Sequence, residues 1–411
     1  MKSRHRFLFF LLFALSYTAQ AQIANLYPGD SAIETDSRVV YVEKFDDTMA
    51  GILSRYSDIK NSPGMSLDPD VPSGSVGPHS LKMTSITGGV NNGGHLYKRF
   101  TPGFDSIIYV RYYVKYPSES KGYFHHEAVW FGGYNPATSW PSPKAGTCGM
   151  GSSRLSISFE PVWQNSNPPG MDTYIYWGDM KSYNGTTCYG NTMITLGATG
   201  FGQPSSPGNY PEIEYDKWIC VEVMIKLNNP VTEYNGEMAI WVDGEQVGHW
   251  GPGFPNGHWN KDKWYNNPND PPFEGFRWRT DDKLNINWLW FEFYHDDPKA
   301  PSSYIKFDHL VMANQYIGPI YDASTGTDDK IMAERHPVIY PNPSTGKITV
   351  SNGNGKISNI AVYSMSGEKV MSASLKQQTS YTFDLSRYPK SSYLIRIQEG
   401  KEFYTQKIIL E

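Results

Sequence analysis

The sequence contains only three cysteines among its 411 residues, Cys148, Cys188 and Cys220. No two of them have the C-x-x-C spacing of a zinc or redox site, which excludes those classes of site. Cys148 and Cys188 lie in Gly/Thr-rich stretches, whereas Cys220 lies in an apolar strand pattern. An oxidising compartment permits one disulfide, so we expect Cys148 to pair with Cys188 and Cys220 to be buried and free.

Long apolar runs are also scarce. Residues 7–15 form one, preceded by Lys2, Arg4 and Arg6 and followed by Ala19-Gln20-Ala21. This pattern predicts a secretory signal peptide over residues 1–21, with the mature protein beginning near Gln22. No other run reaches the length of a membrane-spanning helix, so we predict no transmembrane segment.

Most of the chain has no excess of positive charge. The net charge is −5 overall and −12 over residues 22–336, while residues 337–411 carry +4. This balance argues against nucleic acid as a partner and against a broad polyanion-binding surface, although a local basic groove stays open. We predict no cofactor and no metal site. The candidate Ca²⁺ ligands are the acidic pairs Asp296-Asp297 and Asp328-Asp329, and such loop pairs are commonly just solvated.

No convincing helical period of any length is present, and the pattern is strand after strand. Alternation is strongest over residues 105–116, and Gly, Pro and Asn clusters separate the strands. The other predicted strands of this part of the chain are 39–45, 122–131, 154–159, 172–177, 218–227, 237–242, 275–279, 285–294 and 304–313. Evenly spaced strands in one large domain predict an all-β fold, with two curved antiparallel sheets in a jelly-roll sandwich.

All twelve tryptophans fall between Trp130 and Trp290, and none lies in the last part of the chain. This segregation indicates two separately built units. We predict a signal peptide at 1–21, a jelly-roll domain at 22–320, a linker at 321–336 and a small β-domain at 337–411. Period-two alternation and turn pairs in the last of these favour an immunoglobulin-like sandwich of about seven short strands.

The small domain carries several motifs in a fixed order. They are Tyr340-Pro341-Asn342-Pro343-Ser344-Thr345-Gly346-Lys347, Val362-Tyr363-Ser364-Met365-Ser366-Gly367, Asp384-Leu385-Ser386 and Lys407-Ile408-Ile409-Leu410-Glu411. This order resembles the C-terminal sorting domain of proteins exported by the type IX secretion system of Bacteroidetes-like bacteria. The resemblance implies the secretion machinery as a partner and an extracellular or outer-membrane surface location. An ordinary immunoglobulin-like appendage is the alternative.

Two motifs in the larger domain point to a family of folds. Residues 218–222 and 226–228 precede Asn235-Gly236, and Trp241-Val242-Asp243-Gly244 follows. With residues 304–312, they resemble the paired back strands and closing strand of concanavalin A-like lectin/glucanase domains. Residues 276–280, 289–294 and 307–308 are similar to the last third of alginate- and glucuronan-lyase-like jelly rolls. That resemblance implies cleavage of a uronate-containing polysaccharide by β-elimination.

A lyase needs a group that neutralises the uronate carboxylate and groups that remove and return a proton. Suitable side chains recur at strand spacing, where alternate residues share one face. Arg154 lies opposite Leu155, Ile157 and Phe159, and His126 is predicted to point with Phe124 and Trp130. The candidate catalytic residues are His125, His126, Arg154, Tyr174, Tyr176, Arg277 and Arg279. For each one alone, a structural role is the alternative.

Loop aromatics are the second functional signal, because aromatic rings stack on the apolar faces of sugars. The candidate glycan-binding residues are Trp130, Tyr134, Trp140, Trp250, Trp259 and Trp264. The alternative is that these rings form a small core within their own loops.

The carboxylate pattern of a retaining glucanase, Glu-x-Asp-x-x-Glu on one strand, does not occur, and Glu160 has no partner at that spacing. We therefore expect a secreted or surface-anchored protein that acts on extracellular glycan, with polysaccharide-lyase activity as the leading hypothesis. A noncatalytic glycan-binding or adhesin module is the alternative. A structural surface protein is the third class.

Overall fold

The computed structural model describes most of the chain after residue 21. The described residues are 22–85, 93–121, 124, 126–138, 145–148, 151–161, 167–194, 211–294, 302–322, 337–340, 344–351, 356–364, 369–399 and 402–410. The predicted signal peptide and the two acidic pairs lie outside these ranges. The chain divides into two compact units, and the larger is Gln22–Asp322.

Antiparallel strands dominate the larger unit, as the sequence predicts. They are β1 Val39–Glu43, β2 Asp58–Lys60, β3 Met65–Asp68, β4 Ser80–Thr84, β5 Gly94–Phe104, β6 Ile107–Lys115, β7 Glu127–Tyr134, β8 Arg154–Pro161, β9 Met171–Tyr176, β10 Trp218–Lys226, β11 Glu237–Val242, β12 Glu245–Trp250, β13 Gly257–Asn260, β14 Lys263–Asn266, β15 Ile286–Phe293 and β16 Tyr304–Ala313. Helices in the described ranges are short. They are α1 Met49–Leu53 and single 3₁₀ turns at Ala24–Leu26, Pro28–Asp30, Ile33–Thr35, Ser62–Gly64 and Ser118–Ser120.

The strands form two main sheets. Within the described ranges, sheet A has the order β12-β11-β10-β6-β16-β4-β3 with β1 also paired to β16, and sheet B has the order β2-β5-β15-β7-β8-β9. Apolar side chains from both sheets meet between them, as where the rings of Phe291 and Phe307 lie 5.3 Å apart. The predicted two-sheet jelly-roll sandwich is confirmed.

Two strand predictions need correction. Residues 275–279 do not form a strand, because Phe276 makes only an isolated bridge to Gly236. The long strand β5 was not predicted, since its sequence includes Gly94, Thr101 and Gly103 and lacks clean alternation. It nevertheless joins β15 to β2 in sheet B.

The turn predicted at Asp243-Gly244 closes the hairpin between β11 and β12. Both residues have positive φ, 50° and 85° respectively. Two positive φ values in succession are what a tight two-residue hairpin turn requires, and Asp-Gly is among the sequences that tolerate them.

The hairpin β13–β14 continues sheet B beyond its β9 edge. Asn191 bridges Ile175 of β9, and its neighbour Thr192 bridges Lys263 of β14. The β9 edge is therefore covered by a short segment and then by the hairpin, rather than being left open for pairing with other chains.

The predicted disulfide between Cys148 and Cys188 is confirmed, and Cys220 is free and buried. Among the described residues, there is no helix with the length and apolar character that crossing a membrane would require.

The smaller unit is a seven-stranded β-sandwich over its described residues. Its strands are β17 Val338–Tyr340, β18 Lys347–Ser351, β19 Ile357–Ser364, β20 Lys369–Gln378, β21 Ser380–Asp384, β22 Ser392–Glu399 and β23 Glu402–Ile409. The sheets β17-β18-β21 and β20-β19-β22-β23 enclose a core that includes Ile348, Val350, Ile360 and Ile395. The predicted small immunoglobulin-like sandwich matches this arrangement.

Candidate functional site

Sheet B carries a second set of side chains on the face that points away from sheet A. Phe291 of β15 and Ile157 of β8 point into the core. Since alternate residues of a strand share a face, the residues directly before and after them point away from sheet A. We call this surface the polar face. It comprises His95 and Tyr97 of β5, Trp288, Trp290 and Glu292 of β15, Ala128, Trp130, Gly132 and Tyr134 of β7, Arg154, Ser156, Ser158 and Glu160 of β8, and Tyr174 and Tyr176 of β9.

Strand pairing arranges the polar face in rows. Trp290 lies opposite Trp130, Trp130 opposite Ser158, and Ser158 opposite Tyr174. The next row has Trp288, Gly132, Ser156 and Tyr176 in the same order. Small side chains in the middle of the face are thus flanked by large rings, and the ring-bearing residues of the two rows are 1–9% exposed.

His126 extends the polar face at the start of β7. Its ring centroid lies 5.3 Å from that of Trp130 and 4.8 Å from that of Tyr174. Its φ of 58° lies in the left-handed region, which non-glycine residues rarely adopt and which is often associated with functional sites. Phe124, predicted on the same side, instead packs against Tyr116 in the core. The left-handed backbone at His126 breaks the alternation on which that prediction depended.

Glu160 holds His126 in one orientation. Oε1 of Glu160 lies 2.8 Å from Nδ1 of His126, and Ser158 donates a hydrogen bond of 2.8 Å to Oε2. A carboxylate at this position accepts the proton of Nδ1, so the neutral ring presents Nε2 as its acceptor. Sequence reasoning missed this role because it sought a second carboxylate on the same strand, whereas the partner is a histidine on β7.

Tyr174 lies next to His126 on the polar face, and Tyr176 lies next to Tyr174. The hydroxyl oxygens of Tyr174 and Tyr176 lie 3.2 Å apart. Burial raises the pKa of both side chains, and for Tyr174 hydrogen bonds from Tyr176 and from the backbone of Gly190 partly oppose that rise. Gly190 has no room for a Cβ beside the Tyr174 ring. Both phenols are therefore protonated at neutral pH and able to donate a proton.

Arg154 lies at the end of this chain of contacts. Its guanidinium carbon is 5.0 Å from the centre of the Tyr176 ring, and the residue is 5% exposed. In the part of the chain that the structure describes, its side chain makes no hydrogen bond or ion pair, and Nε is buried without a partner. A buried guanidinium without a counter-charge is costly, so this position favours an anionic ligand.

Other polar atoms of the face also lack hydrogen bonds from described residues. They are Nε1 of Trp130, Nε1 of Trp288 and Oγ of Ser156. Buried polar groups in native proteins are normally paired, and exceptions need an explanation such as a ligand.

Glu292 is an uncharged carboxyl group of the polar face. Burial raises its pKa well above the ordinary range, the charges of Glu160 and Glu127 add to the rise, and Lys60 opposes it. Its carboxyl oxygens make no hydrogen bond to described residues, and His95 is 3.8 Å away. Burial lowers the pKa of His95 to about 4 despite its bond to Asp58, so both groups are neutral near pH 7.

Six of the residues predicted from the sequence thus come together on the polar face. They are His126, Arg154, Tyr174, Tyr176, Trp130 and Tyr134. His125 and Trp140 lie outside the described residues. The residues missed are Glu160, Trp288 and Trp290, although the alternation of Trp288, Trp290 and Glu292 along β15 was a usable signal.

Arg279 needs a correction, because the structure gives it a structural position. It is 3% exposed, and its NH1 donates to the carbonyls of Asp282 and Leu284 and to the carboxylate of Asp105. A guanidinium whose NH1 and NH2 groups donate to the backbone of a turn and to Asp105 is not available to neutralise a substrate.

Arg277 is also separate from the polar face. It forms a two-bond ion pair with Asp179 at 2.6 and 2.9 Å and lies over the ring of Tyr234. Its charge is compensated within the protein, in contrast to that of Arg154.

The loop tryptophans divide into two groups. Trp250 is 1% exposed and Trp264 is 3% exposed, and both belong to the main hydrophobic core. Their prediction as glycan-stacking rings is corrected, because Trp250 lies on β12 of sheet A and Trp264 on β14, and neither ring is part of the polar face. Trp259 is half-buried, stacks on Trp177 and keeps one side near Lys181. It remains a candidate.

No cluster of three or more His, Cys, Asp or Glu side chains suited to a metal ion occurs among the described residues.

Comparison with protein families identifies the smaller unit. Residues 338–411 match the family described as the secretion system C-terminal sorting domain. The C-terminal unit is a type IX sorting domain. The predicted export address is therefore confirmed: the sorting domain directs the protein to the cell surface or the extracellular space.

No curated protein is significantly similar to this chain in sequence. Among solved structures, an alginate lyase Aly36B variant in complex with alginate tetrasaccharide is 16% identical with a TM-score of 0.44, covering 69% of this chain and 96% of its own.

Two other structures are similar to the same extent. Alginate lyase vAL-1 from Chlorella virus is 14% identical with a TM-score of 0.42, covering 67% of this chain and 100% of its own. The cellulose induced protein Cip1 is 15% identical with a TM-score of 0.39, covering 68% and 100%. These similarities are too low to transfer a substrate or a residue role to this chain.

Proposed function

We propose that this exported protein binds an acidic extracellular polysaccharide on its polar face and cleaves it by β-elimination. The observation that carries the proposal is Arg154, a buried guanidinium without a counter-charge among the described residues, beside two phenols. A uronate carboxylate supplies the missing charge. Large rings on either side of small residues supply a surface for the sugar.

The proposed reaction starts when Arg154 binds the uronate carboxylate. Withdrawing charge from that carboxylate acidifies the hydrogen on C5 of the same sugar. His126 then accepts the C5 proton at Nε2, because Glu160 holds the other ring proton on Nδ1. The electron pair of the C5–H bond forms a C4=C5 double bond, and the C4–O4 bond breaks.

The departing O4 needs a proton, and the tyrosine pair supplies it. Tyr174 is a protonated phenol at neutral pH because burial raises its pKa. Its hydrogen bonds from Tyr176 and Gly190 stabilise the phenolate that forms when it gives up the proton. The protons removed and delivered balance over the cycle once His126 returns its proton to the phenolate through solvent.

The experiment uses the exported protein without its signal peptide and a panel of alginate, polygalacturonate and glucuronan. Cleavage is followed by the ultraviolet absorbance of the C4=C5 double bond. We expect absorbance with at least one polymer and its loss in Arg154→Ala, with partial retention in Arg154→Lys. A rise in reducing ends without absorbance would indicate hydrolysis and contradict the proposal.

Binding without cleavage is the other informative outcome. If the protein is retained on an insoluble uronate polymer and produces neither absorbance nor reducing ends, it is a noncatalytic glycan-binding module. Circular dichroism of each variant confirms that a loss of signal does not result from unfolding.

A further inference from the structure

A second group of cations and rings lies on the surface just beyond the β9 edge of sheet B. Lys181 is 5.9 Å from the ring centre of Trp259, and Lys261 is 4.7 Å from that of Tyr183. Tyr183 is 37% exposed and the side chain of Lys181 is 33% exposed. The proposed reaction uses none of these four residues.

One buried side chain fixes their positions. Asn191, which is fully buried, accepts from the backbone amide of Lys181 and from Nε1 of Trp177, and it donates to the carbonyls of Lys181 and Asp262. All of its side-chain hydrogen-bonding groups are therefore used to tie the 177–183 segment to the hairpin. Lys181 and the Lys261–Asp262 turn are held together at one place.

A short segment of chain connects this place to the β9 edge of sheet B. Asn191 follows Gly190, whose backbone contacts the Tyr174 hydroxyl, and Thr192 bridges Lys263. Neighbouring strands are about 4.8 Å apart, so the hairpin lies roughly two to three strand spacings from β9. A sugar chain leaving the polar face past Tyr174 reaches the two lysines after a few residues.

The local charge is unusual for this unit. The net charge of residues 22–336 is −12, yet among the described residues the ion-pair partner of Lys181 is the exposed Glu274, at 3.8 Å. No ion pair of Lys261 occurs within the described residues, although the buried Asp262 is its neighbour in sequence. A ring beside an ammonium group matches the two features of a uronate residue, an apolar sugar face and a carboxylate.

We propose that Lys181, Trp259, Lys261 and Tyr183 form an outer subsite for the uronate residues of a long acidic polysaccharide. The inference rests on the proposed function for its substrate class, and it concerns binding rather than cleavage. The outer subsite favours long chains, because a short oligosaccharide that fills the polar face does not reach it.

The test measures dissociation constants by isothermal titration calorimetry with alginate, polygalacturonate and glucuronan, each as polymer and as trisaccharide. Every protein in the titration, the wild-type reference included, also carries Tyr174→Phe, which removes the proton donor of the proposed reaction so that the polymer is not cleaved during the measurement. The Lys181→Ala/Lys261→Ala variant is compared with this reference and with Lys217→Ala, a control that removes an exposed lysine elsewhere on the unit. We expect the double variant to weaken polymer binding about tenfold at low salt, with a smaller difference at high salt. Trisaccharide binding and Lys217→Ala should match the wild type.

Equal polymer affinity in the double variant and the wild type would overturn the outer subsite and leave the proposed reaction intact. An equal loss for polymer and trisaccharide would also overturn it, because the lysines would then act on the polar face itself. Tyr183→Ala removes an exposed ring of the outer subsite without changing the charge, so its polymer affinity tests the subsite independently of the lysines. If the wild type binds the polymers without cleaving them, the proposed reaction fails while the subsite stands.

Discussion

Nδ1 of His126 and Oε1 of Glu160 lie 2.8 Å apart, on neighbouring strands of sheet B. The pair joins a residue with a left-handed backbone to a carboxylate that Ser158 also holds. Neither residue is notable alone. Together they give the polar face a ring nitrogen with a fixed role, next to the phenol of Tyr174.

Glu160→Gln tests that role. The amide keeps the size of the side chain and can still accept a hydrogen bond from His126, but it removes the negative charge beside the ring. We expect kcat on the best uronate polymer to fall about 10- to 100-fold, with little change in KM.

Glu292→Gln is the matched control for that variant. Glu292 is a buried glutamate of the same sheet face whose pKa is raised, so it is neutral before substitution. The neutral amide should change kcat by less than about twofold. Equal losses in the two variants would mean that any glutamate change on this face impairs the enzyme, and the role given to Glu160 would be wrong.

Two Arg154 variants test whether catalysis depends on the positive charge of this side chain or on its packing. Arg154→Lys keeps a positive charge, and Arg154→Met keeps much of the apolar stem beside Tyr176. We expect the lysine variant to retain measurable cleavage and the methionine variant to lose at least about 100-fold in kcat/KM. Cleavage by the methionine variant at wild-type rates would contradict the assignment of Arg154 to the carboxylate.

The disulfide should be a major source of stability for the larger unit. It closes a loop across a sequence separation of 40 residues, and the chain-entropy model assigns about 4 kcal/mol to such a loop. Cys148→Ala/Cys188→Ala should lower the midpoint of urea unfolding accordingly. Since Cys220 is free and buried, Cys220→Ala is the control and should not reproduce that loss.

Glu222 makes the stability of the larger unit depend on pH. Burial raises its pKa to about 7, while hydrogen bonds from the amides of Ile317 and Gly318 and the charge of Arg111 oppose the rise. The folded state therefore binds the proton more tightly than the unfolded state. Its contribution to the free energy of unfolding is fully present below about pH 4.5 and is lost as the pH rises through about 7.

Glu222→Gln should remove that pH dependence. The neutral side chain still accepts a hydrogen bond, so the variant should lose less stability than the wild type between about pH 5 and 8, by up to about 3 kcal/mol. Chemical denaturation at several pH values checks this. Parallel curves for the two proteins would show that Glu222 does not titrate in this range.

The sequence predicted the strands with clear alternation and, through them, the faces of Arg154, Tyr174 and Tyr176. It could not predict which distant strands become neighbours. Glu160 and His126 meet only because β7 pairs with β8, and that pairing is set by the fold rather than by local pattern. Local alternation also failed at His126, where a left-handed residue turns the chain.

Burial of individual side chains was the second property that the sequence could not predict. Loop position suggested exposed rings at Trp250 and Trp264, yet Trp250 lies on strand β12, Trp264 lies on strand β14, and both rings are buried in the core. Likewise, Arg279 resembled a site residue, but its donors close a turn. Residue type and spacing do not distinguish a polar group satisfied by the backbone from one that awaits a ligand.

Mass spectrometry of the products tests the central claim most directly. The wild-type protein is incubated with each uronate polymer, and the fragments are compared with those from Arg154→Met. Elimination predicts fragments whose new non-reducing ends are lighter by one water than the products of hydrolysis, and their absence from the variant. Fragments of hydrolytic mass, or unsaturated fragments formed equally well by Arg154→Met, would contradict the account.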